Sequence, residues 1–122
     1  MADINYTISG TLNKGALQES FVASGVTCNM SASGLYAITL QLGTAVTQIS
    51  TASLSSVGLV FAQSLATTTT HTVAFGRYAG GTLHETLSLR AGEAAVFRLA
   101  SGDYAAKSAV EGSRLRVTIY EG

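Results

Sequence analysis

Apolar and polar residues alternate along most of this chain, and a period of two predicts short β-strands. The segment Leu83–Leu99 has the clearest pattern, because two alternating runs flank the residues RAGE at 90–93. Tight turns often need a residue with a positive φ, which glycine adopts readily and other residues avoid, and Gly92 can fill this position. We therefore predict a turn at 90–93 and a hairpin formed by the two runs.

The same alternation predicts about ten strands in all, separated by turns of small or polar residues. The run Val57–Phe61 is apolar on both faces, which predicts a central position in its sheet. In the segment 44–56 the serines and threonines disfavour a helical turn, so a strand is predicted at about 45–50, followed by a loop. The segment 104–110 stays open between a strand and a helical turn, and the threonines at 67–70 are either extended or a connection. The remaining strands are predicted near 4–9, 17–23, 26–30, 36–42, 72–76 and 115–120. Gly10 is predicted to close the first strand, with turns at 13–15 and at Ser24-Gly25 and a loop at 77–81.

These elements define the fold class. The sequence contains no pattern for a helix of three turns, which excludes a doubly wound α/β fold. Short connections favour antiparallel pairing. We predict an all-β protein: one antiparallel, jelly-roll-like β-sandwich domain over residues 1–122, with 8–10 short strands.

Composition adds an indication of assembly. Charged residues make up 11% of the chain and the net charge is zero, whereas about 25% is usual. Lysine occurs only at positions 14 and 107, and proline is absent. Proline and lysine commonly protect the exposed edges of sheets, so we expect these edges to meet other subunits. Arg114 and Arg116 form the largest basic patch, which is too small to predict a nucleic-acid partner.

The sequence also limits the cellular setting. Cys28 is the single cysteine, so the chain has no internal disulfide. The first residues, MADINYT, lack the features of a secretion signal, and no run is long enough for a membrane span. We expect synthesis in a cytoplasm and no membrane partner.

No residue pattern predicts catalysis. Most of the seven acidic residues fall in or beside turns, where a solvated carboxylate is usual, and His71 and His84 lack neighbouring metal ligands. The glycine-rich segment 76–81 matches neither a P-loop nor a dinucleotide fingerprint. We predict no enzyme activity, no catalytic residues, no metal and no cofactor.

One loop is a candidate for binding a ligand or a partner. Tyr78 lies in the predicted loop at 77–81, beside Arg77 and close to His84. An aromatic ring with polar neighbours is one way in which β-sandwiches bind sugars. Tyr104 next to Asp103 is a second candidate of the same kind.

The second half of the chain resembles small β-rich structural proteins from the virion gene clusters of tailed bacteriophages. The residues that carry the resemblance are GLVFAQSLATTTTHTVAFG at 58–76, LSLRAGEAAVFRL at 87–99 and RLRVTIYEG at 114–122. It implies a virion structural protein made in the bacterial host cytoplasm. The expected role is a capsid decoration (cement) subunit that binds the major capsid protein and self-associates, with a trimer as the expected oligomer. The alternative is a tail- or fibre-associated module that binds a receptor or a glycan.

Overall fold

The computed structural model describes residues 2–68 and 70–122, and contacts divide the chain into the units Met1–Ser31 and Ala32–Gly122. The first unit contains two strands and the second contains eight. In chain order the strands are β1 Ile4–Lys14, β2 Leu17–Cys28, β3 Leu35–Leu42, β4 Thr47–Ile49, β5 Val57–Ser64, β6 Val73–Ala79, β7 Thr82–Leu89, β8 Ala94–Arg98, β9 Tyr104–Ser108 and β10 Ser113–Glu121.

The first unit is a long antiparallel hairpin of β1 and β2, called the N-terminal hairpin below. The predicted turn at Ser24-Gly25 is wrong: β2 runs through it as a bulge opposite Thr7, and the Gly25 amide donates a hydrogen bond to Thr7 Oγ1 at 3.3 Å. Gly10 likewise lies within β1 and does not end it. Gly25 therefore belongs to a strand irregularity, whereas Gly10 pairs in regular register with Phe21.

The second unit is a sandwich of two four-stranded antiparallel sheets, which confirms the predicted all-β, antiparallel sandwich. One sheet has the strand order β3-β10-β5-β8 and the other β4-β9-β6-β7. Four pairings are nested in the sequence: β3 with β10, β4 with β9, β5 with β8 and β6 with β7. The unit therefore has the connectivity of one long hairpin that is folded over into two sheets.

Side chains from both sheets fill the core between them. Phe75 of β6 is 1% exposed and joins the two sheets. Its ring packs edge-on against Phe97 of β8 at a centroid distance of 5.7 Å and stacks on Tyr104 of β9 at 5.8 Å. The other buried apolar residues of this cluster are Leu42, Ile49, Val60, Ala62, Val73, Leu89, Leu99, Ala106, Leu115, Val117 and Ile119.

Several predicted elements are confirmed in the sandwich. β5 is an interior strand between β10 and β8, as its two apolar faces predicted. The open segment at 104–110 contains the strand β9, and the segment at 44–56 contains the three-residue strand β4. The described threonines at 67–70 belong to the β5–β6 connection, whereas Thr69 lies outside the described residues.

The predicted hairpin within Leu83–Leu99 is wrong, although its turn is present. Gly92 has a φ of 77°, and the Glu93 amide donates to the Arg90 carbonyl at 3.0 Å. However, β7 pairs with β6 in one sheet and β8 pairs with β5 in the other. The turn at 90–93 thus connects the two sheets, because the core lies between these two strands.

The sandwich is described for Ala32–Gly122, while the strands predicted in residues 1–31 pair only with each other. The assignment of residues 1–122 to one domain stays a prediction. Among the residues described, no helix reaches the length and apolarity needed to cross a membrane.

Candidate ligand site at one end of the sandwich

The predicted ligand loop is shorter than its sequence indicated. Residues Arg77–Ala79 continue β6, and the β6–β7 turn consists of Gly80 and Gly81, which have φ values of 60° and 75°. Two adjacent glycines with positive φ form the tight hairpin turn that matches the twist of the strands. The three candidate side chains therefore have fixed positions in a sheet.

The sheet register brings two of the three candidates together. Arg77 is the register partner of His84, so both side chains lie on the same face of the sheet. Tyr78 pairs with Leu83 and lies on the opposite face, because successive residues of a strand alternate. The structure thus supports a pair of Arg77 and His84, without the Tyr78 ring beside it.

Arg77 borders an open cavity of about 250 Å³ at the end of the sandwich where β6 turns into β7. Phe75, Phe97 and Leu99 supply apolar walls. The Arg77 guanidinium lies against Gly102, where a Cβ would stand 3.0 Å from Arg77 Nη2. The remaining lining residues are Thr86, Arg98, Ala100 and Tyr104. The cavity combines apolar walls with two arginines, Arg77 and Arg98, which suits a small ligand that carries a negative group.

Tyr104, the second aromatic candidate, belongs to the core. Tyr104 is 7% exposed, its ring stacks on Phe75, and its hydroxyl donates a hydrogen bond to the Ala100 carbonyl. The ring therefore cannot serve as an open platform for a sugar. Phe97 and Thr86 line the same cavity from separate sheets, and no local sequence signal marks them.

Acidic side chains hold loops at several places in the sandwich. Glu121 is 6% exposed, and its Oε1 accepts a hydrogen bond from the Ser55 amide at 2.9 Å. Glu111 Oε1 accepts from both the amide and the hydroxyl of Thr44 at 3.1 Å. Each carboxylate accepts a hydrogen bond from the backbone of a loop that is distant in the sequence. These contacts give both glutamates a structural role.

The part of the chain that the structure describes contains no group of three or more His, Cys, Asp or Glu residues that could hold a metal ion. His71 Nδ1 lies 3.4 Å from Ser113 Oγ, which gives this histidine a local hydrogen-bonding partner. Lys107 and Glu85 form an exposed ion pair at 3.4 Å, and pairs of this kind contribute about 0–1 kcal/mol.

Comparisons with protein-family models, curated proteins and solved structures give no match to this chain. They identify no family. Function is therefore argued from the two units and from the cavity at the end of the sandwich.

Proposed function

We propose that this protein is a non-enzymatic structural subunit of a virus particle, and that it decorates the capsid by binding the capsid surface. The observation that carries the proposal is the nested strand order of the second unit. The pairings β3–β10, β4–β9, β5–β8 and β6–β7 divide alternately between the two sheets.

This order supports a jelly roll as the finer description of the sandwich. Eight strands that pair as one long nested hairpin and then separate into two sheets form two Greek keys. Jelly rolls serve in viral capsids and in lectins. The step from a jelly roll to a role in a capsid is an analogy with other proteins that have this fold. The resemblance of residues 58–122 to virion proteins of tailed phages favours the capsid over other settings.

The outer surface also suits contact with other proteins. Serine and threonine occupy 29 of the 122 positions, and only 11% of residues are charged. Hydroxyl groups lose less hydration free energy than full charges when a partner covers them. A surface of this kind is therefore compatible with close packing against neighbouring subunits.

Sedimentation with capsids tests the proposal. Capsids assembled from the major capsid protein encoded nearest to this gene are mixed with the purified chain and pelleted. We expect saturable co-sedimentation with a fixed number of copies per capsid. If the chain stays in the supernatant at every concentration, while a known decoration protein pellets with its own capsids, the proposal is wrong.

The second candidate function is binding of an acidic glycan or receptor, which the cavity beside Arg77 favours. A sugar acid would place its ring on the apolar walls and its carboxylate at the guanidinium. Here we expect Arg77→Ala to weaken binding to acidic glycans at least tenfold on a glycan array. Tyr78→Ala, the adjacent residue on the other face, is the matched control and keeps full binding. Equal binding by wild type and Arg77→Ala would remove this candidate.

A further inference from the structure

Exposed apolar side chains concentrate in the N-terminal hairpin. Large hydrophobic residues that remain exposed number seven in the described chain, and five of them belong to β1 and β2. They are Ile8, Leu12, Leu17, Phe21 and Val22, with exposures from 36% to 68%. Single exposed apolar residues are ordinary, but a group on one small element marks an interaction surface.

The register of the hairpin gathers most of these residues on one side. Paired residues in an antiparallel ladder point to the same face, so Ile8 shares a face with Ala23, and Leu12 with Glu19. The Phe21 ring on this face lies over Gly10 of the opposite strand. The apolar face of the hairpin comprises Ile4, Tyr6, Ile8, Leu12, Leu17, Phe21, Ala23, Val26 and Cys28, whereas the other face carries Asn5, Thr7, Ser9, Thr11, Asn13, Gln18, Ser20 and Thr27 with Val22.

Both outer edges of the hairpin also lack strand partners. Within the described chain, β1 pairs only with β2, and β2 only with β1. A two-stranded ribbon alone is at best marginally stable in water. The hairpin has no proline, and Lys14 is its single lysine, so its edges carry little of the usual protection against pairing.

We propose that the hairpins of three copies of this chain form a closed six-stranded barrel, with the apolar faces inside. β1 of each copy pairs along its outer edge with β2 of the next copy. The inference deepens the proposed function and rests on it for the biological setting, since it names the surface through which decorating subunits associate with each other.

Strand direction favours other copies as the occupant. β1 and β2 run in opposite directions, so hairpins arranged around a threefold axis with the same orientation alternate up and down without interruption. Every junction between copies is then antiparallel, and no edge remains unpaired. Such a head-to-tail contact closes into a ring by rotation, as cyclic oligomers do.

Charge and size on the apolar face agree with this arrangement. Its two charged residues, Lys14 and Glu19, have opposite signs and lie near the tip on β1 and β2 respectively. The junction between copies brings Lys14 of one chain towards Glu19 of the next. Gly10 leaves room for the Phe21 ring of its own chain, and Ala23 is small, so the side chains of this face fit the narrow interior of six strands.

The mass of the full chain in solution, measured by light scattering, tests this inference. Wild type is expected to show three times the chain mass of 12.5 kDa. Phe21→Glu places a charge inside the barrel, so we expect a mass of one chain. Val22→Glu is the matched control, because Val22 is adjacent and 68% exposed on the other face, and it should remain trimeric.

Circular dichroism and thermal melting check that the sandwich folds in all three proteins. A monomeric wild type overturns the inference, and so does a trimer that Phe21→Glu leaves intact. Loss of the trimer in both variants overturns it as well. Capsid sedimentation is read separately: a monomer that pellets with capsids contradicts only the barrel, whereas a trimer that fails to pellet contradicts only the decoration role.

Discussion

Phe75→Ala is expected to lower the free energy of unfolding by about 3–5 kcal/mol, the range for removing a large aromatic side chain from a packed core. The ring is 1% exposed and contacts Phe97 in one sheet and Tyr104 in the other. Its removal leaves a cavity where the two sheets meet. Chemical denaturation followed by circular dichroism measures the loss.

Phe61→Ala is the matched control for this prediction. Phe61 lies in β5 and is only half-buried, and its register partners Thr118 and Val96 alternate with core residues. We expect less than half of the loss seen for Phe75→Ala. Equal losses for the two variants would contradict the placement of the core on the Phe75 side of the sandwich.

Gly76→Ala is expected to destabilise the protein by about 3 kcal/mol, the upper part of the range for overpacking. Gly76 lies next to the register shift between β6 and β7, and a Cβ there would overlap the His84 carbonyl. Because the obstacle is backbone, it cannot move away as a flexible side chain would. The melting temperature and denaturation midpoint should both fall.

Gly80→Ala in the adjacent turn separates this crowding from glycine's backbone freedom. Gly80 has a φ of 60° and no atom within 4 Å of the position of a Cβ. The positive φ alone costs about 1–2 kcal/mol for a residue other than glycine. If Gly76→Ala cost no more than Gly80→Ala, the close approach of β6 and β7 at the bulge would be refuted.

Sequence pattern predicted strands well where one face is buried. β3 and β10 follow directly from alternation, because a one-residue shift would move their apolar side chains out of the core. β5 follows from a short run that is apolar on both faces. Partner choice was not predictable in the same way. The turn at 90–93 is local, but whether β7 and β8 pair with each other depends on β5 and β6, which lie far away in the sequence.

The candidate site was predicted only in part, for the same reason. Arg77 and His84 are adjacent because β6 and β7 pair, and the pair of glycines at 80–81 marks that hairpin. Phe97 reaches the cavity from the other sheet, which no spacing in the sequence indicates. Alternation in β1 and β2 was visible too, but the sequence does not say whether an apolar face meets the chain's own core or another molecule.

Hydrogen exchange in the hairpin of the wild-type protein tests most directly whether other copies complete it. In a free ribbon, roughly half of the amides of β1 and β2 point outward to water and exchange fast. Pairing of both edges predicts slow exchange for the outward amides of β1 and β2, comparable with that of the interior strand β5. Fast exchange of these amides in a protein whose sandwich is well protected would contradict the assembly of the chain through its hairpin.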